Sequence, residues 1–332
     1  MEKKVVTFGE IMMRLAAPGY SRMGKTEKFI RSFAGAESNV AIALSHFEIP
    51  TTHVTRLPEN ELGKAAWKDL RRQGVHTDFV QFGPERMGLY FTETGVIHRS
   101  SQVLYDRFDS AFAHVKPQTF SWKTILQQAN WFHWSGITPA LSEGTSSVCV
   151  EALEACLQQQ IPVSADINYR SNLWQYGKRA QDVMPKLVEK CDVVVGGVRD
   201  FENSLNISCP TFEEACDQVN KKFPKVKCIA TTIRNEITSS HHQLYGLLWS
   251  EGVLIRSKNY ELTPIVDRIG AGDAFMAGLI YGKIQNRSLQ DTLDFAMASN
   301  ALNHTLEGDA HEIGVHEVET LMRGENVGKL LR

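Results

Sequence analysis

No stretch of the 332 residues approaches the roughly 18 consecutive apolar residues that a membrane-spanning helix needs. Even Ala274 to Gly282 stops at Lys283. Charge of one sign is equally scarce. Lys and Arg number 36 against 38 Asp and Glu, a net charge of −2 with no block of like charge. The chain therefore has no field to hold a nucleic-acid backbone or an anionic membrane, and a small molecule is the expected partner. The six cysteines, Cys149, Cys156, Cys191, Cys209, Cys216 and Cys228, contain no C-x-x-C pair, which removes the usual zinc and redox patterns. They read as buried small side chains of a reducing compartment. Met1-Glu-Lys-Lys-Val5-Val-Thr-Phe-Gly9 has two lysines but no apolar run behind them, so a first strand and a cytoplasmic location are expected rather than a signal peptide. Repeats at periods of about 20 to 50 residues and low-complexity linkers are also missing, excluding solenoids and tethered modules.

The hydrophobic fraction, 42%, suffices for a large core. Length alone would allow two domains, but α/β sheets carry such lengths as one domain with an inserted flap, and a single domain over 1–332 is expected. The first strand covers about Val5 to Phe8. Ala34-Gly-Ala-Glu-Ser38-Asn39 then opens a helix through Val40, Ile42, Ala43 and Leu44. Farther on, Trp131–Trp134, helix 146–159, Pro162–Ile167, helix 178–190, Asp192–Val195, helix 211–222 and Lys227–Thr232 alternate in βαβα order. That order predicts a mostly parallel sheet covered by helices on both faces, with ligands beyond the C-terminal strand ends. Segments 11–34 and 86–108 break the rhythm with Phe29–Phe33, Gly88–Thr94 and Gln102–Tyr105. They read as strands of a small separate sheet, a lid over the site, an interface for a second subunit, or both.

The chemistry centres on Asp267-Arg-Ile-Gly270-Ala271-Gly272-Asp273, which follows an extended run from Glu261 to Val266 and opens a helix bearing Phe275, Met276, Leu279, Ile280 and Ile284. Glycines there let the chain turn tightly, and the first helical amides form an anion hole suited to phosphate. An aspartate in the same turn repels phosphate, unless its task is to take a proton from a hydroxyl that attacks it. The plainer reading is an ordinary helix cap. A rival, Gly19-Tyr-Ser-Arg-Met-Gly24-Lys25-Thr26, satisfies G-x-x-x-x-G-K-T literally. A P-loop, however, needs a strand before it and a helix starting at its Lys-Thr, and neither is legible. His241-His242 reads as a solvated loop, since adjacent side chains do not share a face, and Trp131-Phe-His-Trp134 reads as core around a strand.

Phe8-Gly-Glu-Ile-Met-Met-Arg-Leu15, Ala34-Gly-Ala-Glu-Ser-Asn39, Tyr105-Asp-Arg107, Gly136-Ile-Thr-Pro-Ala-Leu141, Asp166-Ile-Asn-Tyr-Arg170 and Asp267–Asp273 run through nearly the whole chain. Together they make it resemble the ribokinase (PfkB) family of sugar kinases, in its ketodeoxygluconate branch. The resemblance implies a ribokinase-like α/β fold and transfer of the γ-phosphate of ATP, with Mg2+, onto 2-keto-3-deoxygluconate. It makes Asp273 the catalytic base and Gly270, Ala271 and Gly272 the anion hole. Gly35, Ala36, Tyr90, Tyr105, Arg107, Asn168 and Arg170 would line the sugar pocket, with Asn39 bonding sugar hydroxyls. Asn168, Arg234, Gly270 and Gly272 would face the nucleotide, and Thr305–Asp309 the adenine. An acid sugar calls for an arginine fork. Arg107 and Arg170 are the candidates, a surface ion pair being the alternative for each, as strand packing is for the tyrosines. One departure stands out. Where the family has N-x-x-E, this chain has Gly197-Val-Arg-Asp200, leaving Asp200 or Glu202 to serve a hard cation. A fructokinase- or ribokinase-like acceptor, or a catalytically weak sensor of sugar acid or nucleotide, therefore remain alternatives. A homo-oligomer formed through the lid sheet is also expected.

Overall fold

The computed structural model describes residues 4–325. The first half of the chain carries strands β1 (Lys4–Phe8), β2 (Met12–Ala16), β3 (Ile30–Ala34), β4 (Thr51–Val54), β5 (Arg56–Pro58), β6 (Gln81–Gly83), β7 (Leu89–Glu93) and β8 (Gln102–Asp106). The second half carries β9 (Ala129–Ser135), β10 (Val163–Asp166), β11 (Val193–Val195), β12 (Cys228–Thr238), β13 (His241–Ser250), β14 (Val253–Arg256) and β15 (Tyr260–Leu262). The helices are α1 (Ala36–His46), α2 (Glu61–Arg72), the short α3 (Trp122–Ile125) and α4 (Thr138–Leu141), then α5 (Glu143–Gln158), α6 (Ala180–Val188) and α7 (Val198–Leu205). They are followed by α8 (Phe212–Lys222), α9 (Ala271–Ile284), α10 (Leu289–Asn303) and α11 (Val315–Arg323).

Nine strands form the main sheet in the order β14-β13-β12-β11-β10-β9-β1-β4, with β15 also on β13. Pairing is parallel from β4 to β12 and antiparallel around β13. Successive residues of its central strands enter opposite cores. Val6, Val194 and Ile229 join the layer under α5 to α8, whereas Val5, Val193, Cys228 and Ala230 join the layer under α1, α9 and α10. That double burial is why these strands are short continuous apolar runs rather than alternating ones.

The helices begin where side chains satisfy free amides. Ser142 and Thr145 form a reciprocal capping box, so α5 starts at Glu143, three residues before the periodicity suggests. Helix α9 differs from the one-sided helix expected. It is buried almost all round because Gly278 lets it approach α10 closely: a β-carbon there would lie 2.5 Å from Ala296 Cα. A helix enclosed on every side loses its amphipathic signature.

Segments 11–34 and 86–108 supply a four-stranded sheet of order β3-β2-β7-β8, which leaves the body at the C-terminal end of β1. The Gly19–Thr26 segment is a set of turns in this sheet, and β3, not a helix, follows it. The P-loop geometry is therefore absent. Two expectations are corrected and one element was not anticipated. His241-His242 is not a solvated loop but the start of β13, with His242 fully buried. Of the extended run Glu261–Val266, only Glu261 and Leu262 belong to a strand. Val198–Leu205 is a helix that no clear periodicity announced. All six cysteines are free, and only Cys209 is not buried. Burial pushes the thiols of Cys149, Cys156, Cys191, Cys216 and Cys228 up, consistent with packing roles. Among the described residues no helix is long and apolar enough to cross a membrane.

Candidate active site

The C-terminal edge of the parallel sheet carries the ends of β1, β9, β10 and β11, and the head of α9 stands beside it. Gly270 caps α9 in the left-handed conformation, φ 83°. A β-carbon on it would lie 1.9 Å from the Asp309 carbonyl oxygen, so both shape and conformation demand glycine here. Above Gly272, by contrast, a β-carbon would meet nothing within 4 Å. The turn is fixed from behind. Asn300 Nδ2 donates to the Ala271 carbonyl at 2.8 Å and Asn303 Nδ2 to that of Ile269 at 3.1 Å, while Asp267 Oδ1 accepts from the amides of Arg268 and Ile269 at 2.7 and 3.2 Å. These contacts aim the first amides of α9, which a helix leaves unpaired, at the open side.

Asp273 lies in that first turn, half-buried. Asn39, in the first turn of α1, donates Nδ2 to Asp273 Oδ2 at 2.7 Å. Burial pushes the Asp273 carboxyl well above the usual range. Asn39 opposes that shift, and the charges of Asp166, Asp309 and Glu37 add to it. A carboxylate destabilised in this way is a stronger proton acceptor. Since Asn39 Oδ1 also accepts from Gly35 N at 3.4 Å, both ends of the amide are engaged within the protein. Asn39 therefore holds Asp273, with a second Nδ2 hydrogen and a second Oδ1 lone pair to spare. Gly35 is required by proximity, a β-carbon there falling 1.9 Å from the Glu10 carbonyl oxygen, and Ala36 follows it half-buried. Glu37, unnoticed in the sequence, is buried and accepts on Oε1 from Ser135 N, Ser135 Oγ and Thr138 Oγ1 at 3.0, 2.8 and 2.7 Å. It pins the head of α1 to the end of β9.

On the lid side, Tyr90 of β7 is buried, donates its hydroxyl to Asp309 Oδ2 at 2.6 Å and stacks on the exposed Tyr105 of β8 at 5.8 Å. The two candidate arginines separate. Arg107 is buried, with Nε on Glu10 Oε2 at 2.9 Å and Nη2 on the same oxygen, while Ser110 donates to the other. Arg170 is exposed, and among the described residues its Nη1 donates to the Tyr169 carbonyl at 3.0 Å. Beside it, Asn168 takes φ 40° and donates N and Nδ2 to Asp166 at 3.1 and 3.3 Å. Asp166 is pushed up to about 7, first by burial and then by Asp200, with Arg170 opposing.

Asp200 accepts from Gly197 N at 2.9 Å and Tyr169 N at 3.2 Å. Glu202 is exposed and accepts from Ser208 at 3.1 Å. Arg234 pairs with Glu236 at 3.0 Å, and Arg268, just before the glycine turn, reaches the same carboxylate at 3.4 Å. At the end of the Thr305–Asp309 segment, the Asp309 side chain is engaged within the protein. It binds Arg14 and Tyr90. Asn300 Oδ1, Asn303 Oδ1 and both nitrogens of His242 are buried without protein partners, orphaned polar atoms beside the turn of the kind a polar ligand or water satisfies.

Residues 2–313 match the model of the pfkB family carbohydrate kinases. A 2-dehydro-3-deoxygalactonokinase of Haloferax volcanii is 32% identical over 331 residues, 99% of each chain. The crystal structure of 2-dehydro-3-deoxygluconokinase from Thermotoga maritima superposes with a TM-score of 0.93 at 38% identity, over 97% of this chain and 100% of that one. The fold alone is shared with an ATP-bound fructokinase from Xylella fastidiosa, TM-score 0.81 at 19% identity over 98% and 99%.

Proposed function

Because the chain belongs to the pfkB family of carbohydrate kinases, we propose that it moves the γ-phosphoryl group of ATP to the terminal hydroxyl of 2-keto-3-deoxygluconate, giving the 6-phosphate. The observation that carries this reading is Asp273, a carboxylate of raised proton affinity held by Asn39 in the same helical turn as an open set of amides. Asp273 takes the proton of the attacking hydroxyl. The amides of Ala271, Gly272 and Asp273, with Arg234 and Arg268, stabilise charge on the phosphoryl oxygens, the larger contribution coming from donors already fixed in place. Arg170 binds the sugar carboxylate, while Glu10 holds the fork of the buried Arg107. Tyr90 and Tyr105 present stacked rings from the lid, which excludes competing water when closed.

The residues present fit a hard cation shared with the nucleotide. Asp166, raised first by burial and then by the Asp200 charge, and Asp200 supply oxygen donors. Among the described residues no cluster of three acidic, His or Cys side chains could hold a metal alone, so the remaining ligands would be phosphates and water. When bound, Mg2+ would neutralise phosphate charge there. A second reading, a weak enzyme or sensor, draws on Asp200, whose two oxygens already accept backbone amides. The exposed face of β8 with Val103, Leu104, Tyr105 and the adjoining Phe108 supports pairing with a second copy.

ADP release from MgATP, measured with ketodeoxygluconate, its galacto epimer, gluconate, fructose and ribose, tests the assignment. Turnover confined to the two keto-deoxy acids supports it, and turnover with fructose or ribose would move the chain to another acceptor. Binding of the acid without turnover would favour the sensor.

A further inference from the structure

The lid sheet and the phosphate turn meet at one buried guanidinium. Arg14, in the middle of β2, has a side chain 4% exposed. Its Nη1 bonds Asp309 and its Nη2 bonds Asp267, partners 295 and 253 residues away. Each carboxylate has a second task. Asp309 Oδ2 accepts the Tyr90 hydroxyl from lid strand β7 at 2.6 Å, and the Asp309 backbone closes over Gly270. Asp267 Oδ1 orients the amides of Arg268 and Ile269 at the entrance of the turn. Two lid strands and both sides of the anion turn thus converge on Arg14.

Stability is a weak explanation for such a cluster, because a buried group of one cation and two anions gains little over apolar packing once desolvation is counted. Its geometry, however, is all-or-none. If β2 moves with the lid, two dehydrated carboxylates lose their partner together, so intermediate positions are disfavoured. A lysine could not substitute, since the planar fork is what spans both carboxylates. We propose that Arg14 is a positioning residue that couples closure of the lid over the sugar to alignment of the anion turn, so that sugar and nucleotide strengthen each other's binding through this side chain. The inference rests on the kinase reading for the identity of the two ligands, but its readout does not depend on turnover.

The test measures the affinity of a non-hydrolysable ATP analogue with Mg2+, in the absence and presence of ketodeoxygluconate, for wild type, Arg14→Lys and the Arg14→Met/Asp309→Asn double variant. The double variant removes guanidinium and carboxylate together, so that folding survives if the single change is too costly. Wild type should show a coupling factor within the usual span of about 5 to 150. Both variants should fall to about 1, with kcat reduced about 100-fold, as expected when transition-state donors are misaligned. Millimolar guanidinium chloride should recover part of the kcat of Arg14→Ala, where the same concentration of urea does not. Coupling absent from wild type, coupling retained in folded variants, or a kcat loss that merely follows the folded fraction in thermal melts would each overturn the proposal. Wild-type coupling that the variants lose, without turnover on any sugar, would instead uphold it and overturn the kinase reading.

Discussion

The anion turn and the lid sheet face the same cleft, yet they are held by different physics. The turn is over-determined: Asn300 and Asn303 fix its carbonyls, Asp267 its amides, the Asp309 backbone its glycine, and α9 behind it is buried almost all round. All five residues of β8 in the lid are exposed, as are the first two of β3. The lid meets the body through an apolar seam, in which Met13, Leu15, Phe33 and Leu89 pack with Ile42, Leu57, Ala66 and Leu70, and through directional links: Arg14 with Asp267 and Asp309, Glu10 with Arg107, and Ser239 N donating to Ile97 O at 2.9 Å. Donors that stabilise developing charge must not reorganise during reaction, whereas a cover that admits substrate opens where few apolar contacts hold it, which in this lid is the exposed β8 edge and not the seam against α1 and α2. The contrast assigns rigidity to the turn and opening to the lid.

Removing the proposed proton acceptor from the rigid half should have the largest effect. Asp273→Asn should lower kcat about 1,000-fold, within the range for general-base loss, with sugar affinity by calorimetry changed only slightly. The same substitution placed in each region sharpens the comparison next. Gly270→Ala meets the Asp309 carbonyl at positive φ and should cost about 3 kcal/mol in urea unfolding. Gly19→Ala in the lid, at φ 54° with open space around it, should cost about 1 kcal/mol. Arg170→Ala should raise KM for the acid sugar about 10- to 100-fold, the size of a lost charge-assisted hydrogen bond, and leave neutral sugars unaffected. Equal losses for both would break the carboxylate assignment.

A pH series reads the Asp166–Asp200 pair. With Asp166 raised from 3.8 to about 7 in the fold, the native state binds more protons than the unfolded chain between those values. Its contribution to stability is therefore present at low pH and lost as pH rises through about 7. Mg2+ favours the ionised form, so its affinity should rise across the same window, and Asp166→Asn should flatten both trends in denaturation and Mg2+ titrations. The smallest effect belongs to the lid surface. Leu104→Glu should change stability by less than about 0.5 kcal/mol, yet lower the mass seen in light scattering if a second copy covers β8.

Local rules made part of this legible. Glycines before an aspartate marked the turn that opens α9, and Ala34-Gly-Ala-Glu-Ser-Asn marked the head of α1, because caps and tight turns are decided by adjacent residues. Alternation marked β7 and β8 for the same reason. His242 misled, since a polar pair in sequence gives no sign that a strand carries one of its members inward. Arg107 and Arg170 looked equivalent until Glu10, 97 residues from Arg107, took one of them. Asn300 and Asn303 carried no signal at all, for an asparagine in a helix of small residues is unremarkable until the neighbouring turn is known.

The sequence by itself determined the alternation of strands and helices through the middle of the chain, the parallel double-faced sheet and the glycine turn before Asp273, all consequences of short-range preference and apolar pattern. Only the tertiary structure decided which arginine stays free, which carboxylates share a field, and that Arg14 joins lid to turn. Those outcomes depend on burial and on charges brought together across hundreds of residues, and neither dielectric environment nor long-range pairing is written in any local stretch of chain.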